Sequence, residues 1–572
     1  MSFAVGFGST RHLDALTADW IGRLAPLEWK VHRGEGMIVA VGPGETLIWS
    51  PDRRAVAVGL IVEARTCRPP AGLAPLPDEA KIADFVGNHW GRYILACASP
   101  DDCWLFRDPS GGQPAHHIRH ADRHFIVPDI RTADLLGLDP GPVDHAFLGQ
   151  WLTYPFLRTA RTGYAGAAEI LPGDVLCQSA DGWRTKALWK PHRFVGPADR
   201  VLDFDEAARA LGALLETVIP IMVGNAPSPV VQLSGGLDSA IVLAAMGKPG
   251  RSTVALTYHG PSADSDERRF ARLSASAAHA GLHDFEIPAS SPIAGPIGPR
   301  SFRPLPNAAL RPLFGALDRH VRGLEGSALV DGAGGDNLFC FLTTAAPAVD
   351  AYRCRGMSQG CRTLDDLSVL TGSTLWTALL AAIRKQARAR ARPRWKRDDR
   401  FLKPEAVPTV PDRHPWLEVP EAILPGKREH IEALVSIQHF LDRGQPLLTV
   451  PMRHPLLAQP LLEFCLAVPT WLWCRGGRDR AVARAAMRAR LPPEIEGRRT
   501  KGRLESLFRR AYRIQRPALR DMLLGGELAA RGLIDEVAIM TYLLQSEDPA
   551  DDGYIRLLEM AALEEWLRSA GR

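Results

Sequence analysis

The chain has 572 residues, 46% hydrophobic and 23% charged. That is soluble-globular usage and excludes wholesale disorder and collagen-like structure. Sixty-nine basic residues against 64 acidic ones give a net charge of +5, too small an excess to argue for nucleic acid. At roughly 100–200 residues per domain, about two to four domains are expected, each large enough to bury a core without disulfides. The nine cysteines form no CxxC pair, which argues against a zinc ribbon or a secreted disulfide framework and for a reducing compartment. No apolar run reaches the ~18 residues of a membrane span. The opening MSFAVGFGSTRHLDAL lacks the basic and apolar regions of a signal peptide. A cytoplasmic protein with no membrane or nucleic-acid partner is expected.

Residues 1–195 read as β-rich. Runs at Ala55–Val62, Tyr93–Cys97, Cys103–Phe106 and His124–Val127 are separated by Gly, Pro and Asp punctuation. A helix starts near Asp144, and Pro172-Gly173-Asp174 turns into a strand at Val175–Gln178. Pro191–Arg200, polar and holding two prolines, reads as a linker. From Asp203 the pattern alternates. A helix precedes a buried run, Val230–Leu233, followed by Ser234-Gly235-Gly236 and a helix from Leu237. Further strands are expected at Thr253–Thr257, Phe285–Ile287 and Ala328–Val330, with a helix over Asp266–His279 capped by Ser265. Such alternation predicts a parallel sheet between helices, and residues 200–572 form the second domain, mainly helical after about residue 340. The basic run Arg384–Arg400 reads as a solvated helix end and loop, or as a lid over an anionic partner.

The strongest chemical signal is Leu233-Ser234-Gly235-Gly236-Leu237-Asp238-Ser239, between strand and helix. Its glycines let the backbone approach an anion, and the helix N-terminus faces that anion. Ser234 and Ser239 can donate hydroxyls to phosphate oxygens. Asp238 would repel phosphate unless a cation bridges them, and Mg²⁺ takes both kinds of oxygen. No GxxxxGK[ST] loop is present, which argues against P-loop chemistry. The second signal, Asp331-Gly332-Ala333-Gly334-Gly335-Asp336-Asn337, also follows a strand. Because ligands sit at the C-terminal ends of strands in open α/β sheets, Asp238 and Asp336 can share one metal. A third, Leu491-Pro492-Pro493-Glu494-Ile495 with Arg498-Arg499-Thr500-Lys501-Gly502, offers Lys501 as a compact charge for a developing oxyanion.

Taken in order, these motifs, with Ser265-Asp266-Glu267 between the first two, resemble the asparagine-synthetase-type ATP pyrophosphatases. The N-terminal segment, residues 1–195, resembles the family's glutaminase domain, an Ntn-type sandwich, through Arg107-Asp108-Pro109-Ser110-Gly111, Pro172-Gly173 and Trp189. A glutaminase of this kind needs an N-terminal cysteine nucleophile. Here Ser2 follows Met1 and the first cysteine is Cys67, and a serine hydroxyl is a far poorer nucleophile at neutral pH. Asn337 stands where the family carries Glu, Ala333 replaces its acidic or tyrosyl residue, and Pro451 replaces its Glu. GAGGDNLF and the HPLLAQPLLEFCLAVPTWLWCRGGRDRAVARAAM block are similar to lasso-peptide macrolactam synthetases.

That resemblance implies a specific reaction. An internal Asp or Glu side chain of a precursor peptide is adenylated, the peptide's freed N-terminal amine attacks it, and an isopeptide ring closes with release of AMP and pyrophosphate. ATP and Mg²⁺ are implied as cofactors. The implied partners are the precursor peptide, a cysteine-protease-like leader peptidase and a leader-binding protein. Leu233, Leu256 and Gly332 would flank adenine, with Ser234, Gly235, Gly236 and Ser239 on pyrophosphate. Asp238 and Asp336 would hold the metal and Lys501 would be catalytic. Glu267, Arg453 and His454 are further candidates, His454 as a substitute general base. Three alternatives stay open: an ammonia-using asparagine synthetase, a β-lactam-type small-molecule amide ligase, and a non-catalytic peptide-binding scaffold.

Overall fold

A computed structural model describes the chain apart from residues 1, 77, 100–101, 121–122, 180–181, 196–202, 225, 248–252, 261–265, 288–298, 306–309, 388–394, 442–446, 500–504, 546–547, 549–550 and 572. The N-terminal strands are β1 (Phe3–Phe7), β2 (Lys30–Arg33), β3 (Met37–Val41), β4 (Leu47–Trp49), β5 (Ala55–Glu63), β6 (His89–Ala98), β7 (Cys103–Arg107), β8 (His116–His120), β9 (Arg123–Val127), β10 (Ala167–Glu169), β11 (Asp174–Ser179) and β12 (Gly182–Ala187). They form two six-stranded antiparallel sheets, β10-β8-β9-β1-β3-β2 and β12-β11-β7-β6-β5-β4.

Alternation along the strands explains why the sheets stack. Phe3, Val5, Met37 and Val39 from the first sheet meet Val56, Val58, Ile94 and Leu105 from the second. The outer faces are apolar as well, and each joins a core with helices. Ala4, Ile38 and Phe125 pack with Leu13 and Trp20 of helix Thr10–Leu24 and with Leu557 and Leu558 of helix Gly553–Ala570. Ala57, Ile61 and Leu95 share a core with Leu211 and Leu215 of helix Phe204–Val223. Both outer faces are therefore covered in part by segments of the chain beyond residue 200.

The remaining strands are β13 (Pro229–Gln232), β14 (Val254–His259), β15 (Gly281–Glu286), β16 (Ala328–Val330) and β17 (Met452–Arg453). They make one all-parallel sheet in the order β15-β14-β13-β16-β17. Its two faces sit in separate cores: Val231, Ala255 and Val330 on one side, Val230, Leu256, Leu329 and Met452 on the other. The chain leaves β13 towards β14 on one side and β16 lies on the other. The order reverses between β13 and β16, the place where such sheets open a ligand crevice.

Several boundaries differ from the sequence reading. The strand expected at Phe285–Ile287 runs over Gly281–Glu286. It is the edge strand and buries little beyond Phe285, so it shows no apolar run. The helix expected over Asp266–His279 spans Arg268–Ala277, and its proposed cap Ser265 lies outside the described residues. The two-residue β17 was not anticipated. Pro191–Phe194, read as linker, is a 3-10 turn whose Phe194 stacks on Trp189 at 5.4 Å. In the basic run, Arg397 pairs with Asp399 and Arg400 with Asp398 at 2.7 Å, and Trp395 donates to the Pro155 carbonyl. Residues 388–394 of that run are outside the described set. All nine cysteines are free. Among the described residues no single helix is long and apolar enough to cross a membrane.

Candidate active site

The loop after β13 enters helix Leu237–Met246, whose ten residues are all buried. Gly235 has φ +71°, a left-handed turn that suits glycine, and it bends the chain so that Gly236 caps the helix. The Ser234 N–H donates to Ser239 Oγ at 3.1 Å, and the two hydroxyls lie 3.1 Å apart. Two hydroxyls thus gather at the first turn of a helix, whose opening N–H groups have no carbonyl partner within the helix, the arrangement that binds phosphate oxygens.

The loop after β16 packs directly onto this turn. A Cβ on Gly332 would lie 2.5 Å from the Ser239 nitrogen, and one on Gly335 would lie 2.3 Å from Asp238 Cγ. Glycine is required at both places, at Gly332 because the Asp238–Ser239 backbone passes there and at Gly335 because the Asp238 side chain does. The outcome is that Asp238 and Asp336 come together. A single nitrogen, Arg480 Nη1, donates to both oxygens of Asp238, at 3.0 and 3.1 Å, and also to Asp336. Arg480 Nη2 holds Asp479 at 2.9 Å. Burial opposes the charge on Arg480, but the three aspartates hold it firmly protonated. Asp238 is enclosed, whereas the Asp336 side chain is 38% exposed.

A magnesium ion fits this pair. Its donors are hard carboxylate oxygens, already converging on one cationic nitrogen, beside a turn that presents hydroxyls and N–H groups. Among the described residues no group of three or more His, Cys, Asp or Glu side chains could hold a metal, so a cation here takes its remaining oxygens from water or from its ligand.

Glu267 has a defined task. Its carboxylate receives both arms of Arg498 at 2.5 and 2.6 Å, and Arg498 also donates to the Gly235 carbonyl at 2.9 Å. The guanidinium lies 3.6 Å from the Phe270 ring centre. The last motif is therefore tied to the phosphate turn three residues before Lys501, which itself lies outside the described residues. Asp266 is held down to about 2 by hydrogen bonds from Arg268.

Leu233 and Leu256 are fully buried, in the cores on opposite faces of the sheet. The Leu233 N–H donates to the Leu256 carbonyl at 2.8 Å. A base lodged at this strand end meets their backbone rather than both side chains. His454 is buried with both ring nitrogens facing oxygens, Asp331 Oδ1 at 2.7 Å and the Leu441 carbonyl at 2.8 Å. No lone pair is turned outward, so its geometry is that of a brace between the β16 loop and Leu441, not of a general base. Arg453 ends β17, with Nε and Nη1 buried and lacking a hydrogen-bond partner. Burial and the nearby Arg92 push it down to about 10.

Sequence reading missed Arg480 and Asp479, for nothing in Arg478-Asp479-Arg480 distinguishes them from a surface charge run. It also gave no role to Asn337, whose amide donates to the Ala433 carbonyl at 2.7 Å and ties the loop to helix Pro425–Gln438. The N-terminal motif residues are structural. Arg107 donates to Glu169, to the Ile170 carbonyl and to the Gly111 carbonyl, and Asp108 accepts from the Tyr93 and Ser110 N–H groups. Ser2 leads into β1, its carbonyl accepting from the Gly42 N–H at 2.8 Å.

The asparagine synthase family matches residues 213–568, more than half of the chain and all of the parallel sheet. No match is found among curated proteins. Among solved structures, the allosteric regulatory enzyme of purine biosynthesis matches at 11% identity, covering 51% of this chain and 82% of that one, with a TM-score of 0.22. Glutamine phosphoribosylpyrophosphate amidotransferase from B. subtilis matches at 11% identity, covering 52% and 82%, with a TM-score of 0.22. Likenesses this low carry no argument about function.

Proposed function

Because the chain belongs to the asparagine synthase family, and so to the ATP-dependent amide-forming ligases, we propose that it closes a macrolactam ring in a lasso-type precursor peptide. The observation that carries this reading is the pair of strand-end loops that bring Asp238 and Asp336 onto one cationic nitrogen beside the Ser234–Ser239 turn.

In this mechanism the turn from Ser234 to Ser239 holds the β and γ phosphates of ATP at the helix N-terminus. Asp238 and Asp336 would hold the magnesium ion, which supplies positive charge to the departing pyrophosphate. An oxygen of the peptide's Asp or Glu carboxylate attacks the α-phosphorus, the α–β bond breaks, and pyrophosphate leaves. The N-terminal amine of the same peptide then attacks the acyl carbon, the bond to AMP breaks, and the amine loses its proton. Lys501, on the segment anchored by Arg498 and Glu267, stabilises charge on the α-phosphate and on the tetrahedral oxygen. Because amine and acyl group share one peptide, correct folding makes ring closure intramolecular, where effective molarities reach about 10⁵ M or more.

Three features support a peptide as substrate and acceptor together. Ser2 stands where a glutaminase needs cysteine. Burial pushes the Cys103 thiol up to about 11 and raises Cys97 as well, the opposite of activation. Beside the His454–Leu441 brace, Trp151, Phe156, His439 and Phe440 form an aromatic group, with Phe156 39% exposed, suited to line a peptide. A leader peptidase and a leader-binding protein would supply the freed amine, and a cytoplasmic setting would supply ATP.

The test is product identity. Purified chain, ATP, Mg²⁺ and a leaderless precursor peptide are expected to give AMP, pyrophosphate and a peptide lighter by one water. Pyrophosphate release driven by free aspartate and ammonia, with none driven by peptide, would replace this reading by a small-molecule amide ligase.

A further inference from the structure

Arg480 stands where the proposed reaction needs a cation, and its surroundings suggest why. The Asp238 and Asp336 carboxylates cannot drift apart, because Gly332 and Gly335 press the second loop onto the first with no room for a Cβ. Two carboxylates locked side by side and partly out of water repel each other unless a positive charge lies between them. Arg480 provides it: Nη1 reaches both, and the side chain is 7% exposed. Its backbone sits at φ 50°, a left-handed conformation that non-glycine residues rarely take, directly before helix Ala481–Met487. Nη2 is bound separately to Asp479. Asp479 is also gripped by Arg484 Nε at 2.8 Å, while Arg484 is fixed to the Glu496 carbonyl at 2.6 Å. Asp479 is therefore a fixed pivot. Arg480 can release the two site aspartates through Nη1 and keep its hold on Asp479 through Nη2. The Phe341 ring, 39% exposed, lies with its centre 5.3 Å from the guanidinium carbon and gives the arginine an apolar and cation–π contact.

We propose that Arg480 is the resident counter-ion of the Asp238–Asp336 pair, and that it yields this place to the divalent cation only when nucleotide arrives, turning on Asp479 to meet the polyphosphate. The exchange rests on the ATP reading of the site and adds an order to it. Two carboxylates give a divalent cation too few oxygens to displace a buried guanidinium. Carboxylates plus phosphate oxygens do suffice, and the phosphates then offer the freed arginine a new partner. Cation and nucleotide are expected to bind together, not in succession.

The experiment is Mn²⁺ binding to the full chain, followed by the loss of the free-ion EPR signal, with and without α,β-methylene ATP. The wild type is expected to leave Mn²⁺ free without nucleotide and to take it up with nucleotide. Arg480→Met is expected to bind Mn²⁺ without nucleotide, with a dissociation constant at least tenfold below that of the wild type, and adding Asp336→Asn should abolish that binding. Arg480→Lys keeps the charge but cannot span the two site carboxylates and Asp479 at once, so it should fall between the two and serves if the Met variant does not fold. Equal Mn²⁺ affinity of wild type and both variants in the absence of nucleotide would overturn the exchange. Failure of α,β-methylene ATP to bring Mn²⁺ to the wild type would instead count against the ATP reading, while the comparison made without nucleotide still stands.

Discussion

Two charged clusters in this chain use arginine in opposite ways. In the N-terminal sandwich, Glu169 is surrounded by Arg107, Arg158 and Arg303, with side chains between 0% and 8% exposed. There the cations outnumber the anion. They are tolerated because each guanidinium also donates to backbone carbonyls, of Ile170 and Gly111, of Gln438, and of Thr159. At the strand ends of the parallel sheet the ratio reverses: three aspartates share Arg480, and one of them, Asp336, opens to solvent. A sealed cluster whose arginines are held by backbone carbonyls as well as by Glu169 holds the fold together, even with Arg107 Nε left without a hydrogen-bond partner. A cluster rich in carboxylates and open on one side has capacity left for a ligand.

The contrast can be broken by substitution. The largest effect is expected at Glu169→Gln, which leaves three buried guanidinium groups without their counter-charge. Urea unfolding of the full chain should show a loss of about 3–5 kcal/mol; a loss below about 1 kcal/mol would mean that the carbonyls alone satisfy the arginines. Asp336→Asn should do the reverse, leaving the urea midpoint near wild type while lowering pyrophosphate release about 10²–10³-fold. Arg498→Ala should lower turnover by about 10–100-fold, since it frees the segment that carries Lys501 from Glu267 and Gly235, again with little change in the urea midpoint. Equal turnover would detach that anchor from the chemistry.

The smallest effect is one of pH. Three neighbouring arginines hold the Glu169 carboxyl well below the ordinary range against the opposing effect of burial. A depressed folded-state pKa gives stability that is complete above the unfolded value, about 4.3, and is lost as the pH falls below it. The stability gap between wild type and Glu169→Gln should therefore shrink on acidification below about pH 4.3. A gap that stays constant down to pH 2 would contradict the arginine–Glu169 assignment.

How much of this was legible in the sequence depended on whether the signal was local. Val230–Leu233 and Ala328–Val330 are short apolar runs followed by glycine-rich turns. Both strands, and both loops at their ends, stand where those patterns put them. β15 was displaced because an edge strand, with residues such as His283 and Asp284 exposed, has no apolar run to mark it. β17 was invisible because two residues carry no period. Arg480 was out of reach for a different reason. It meets Asp238 across 242 positions of sequence, and its place depends on a left-handed turn and on helix packing that local pattern does not encode. By sequence His454 stands as a substitute base only through its place in the segment of Pro451, and a structural histidine is the commoner case. Only the two oxygens at its ring nitrogens show that it is a brace. Leu233 and Leu256 were paired by their neighbouring strands, but alternation sends their side chains to opposite faces.

In the proposed reaction a substrate carboxylate is activated on the α-phosphorus of ATP at the Asp238–Asp336 site. This step can be followed with precursor peptide whose acidic side chain carries ¹⁸O in both carboxylate oxygens, the nucleotide being analysed by mass spectrometry. AMP containing a single ¹⁸O is expected, with the other retained in the new amide. Unlabelled AMP, or ADP and phosphate in its place, would contradict it.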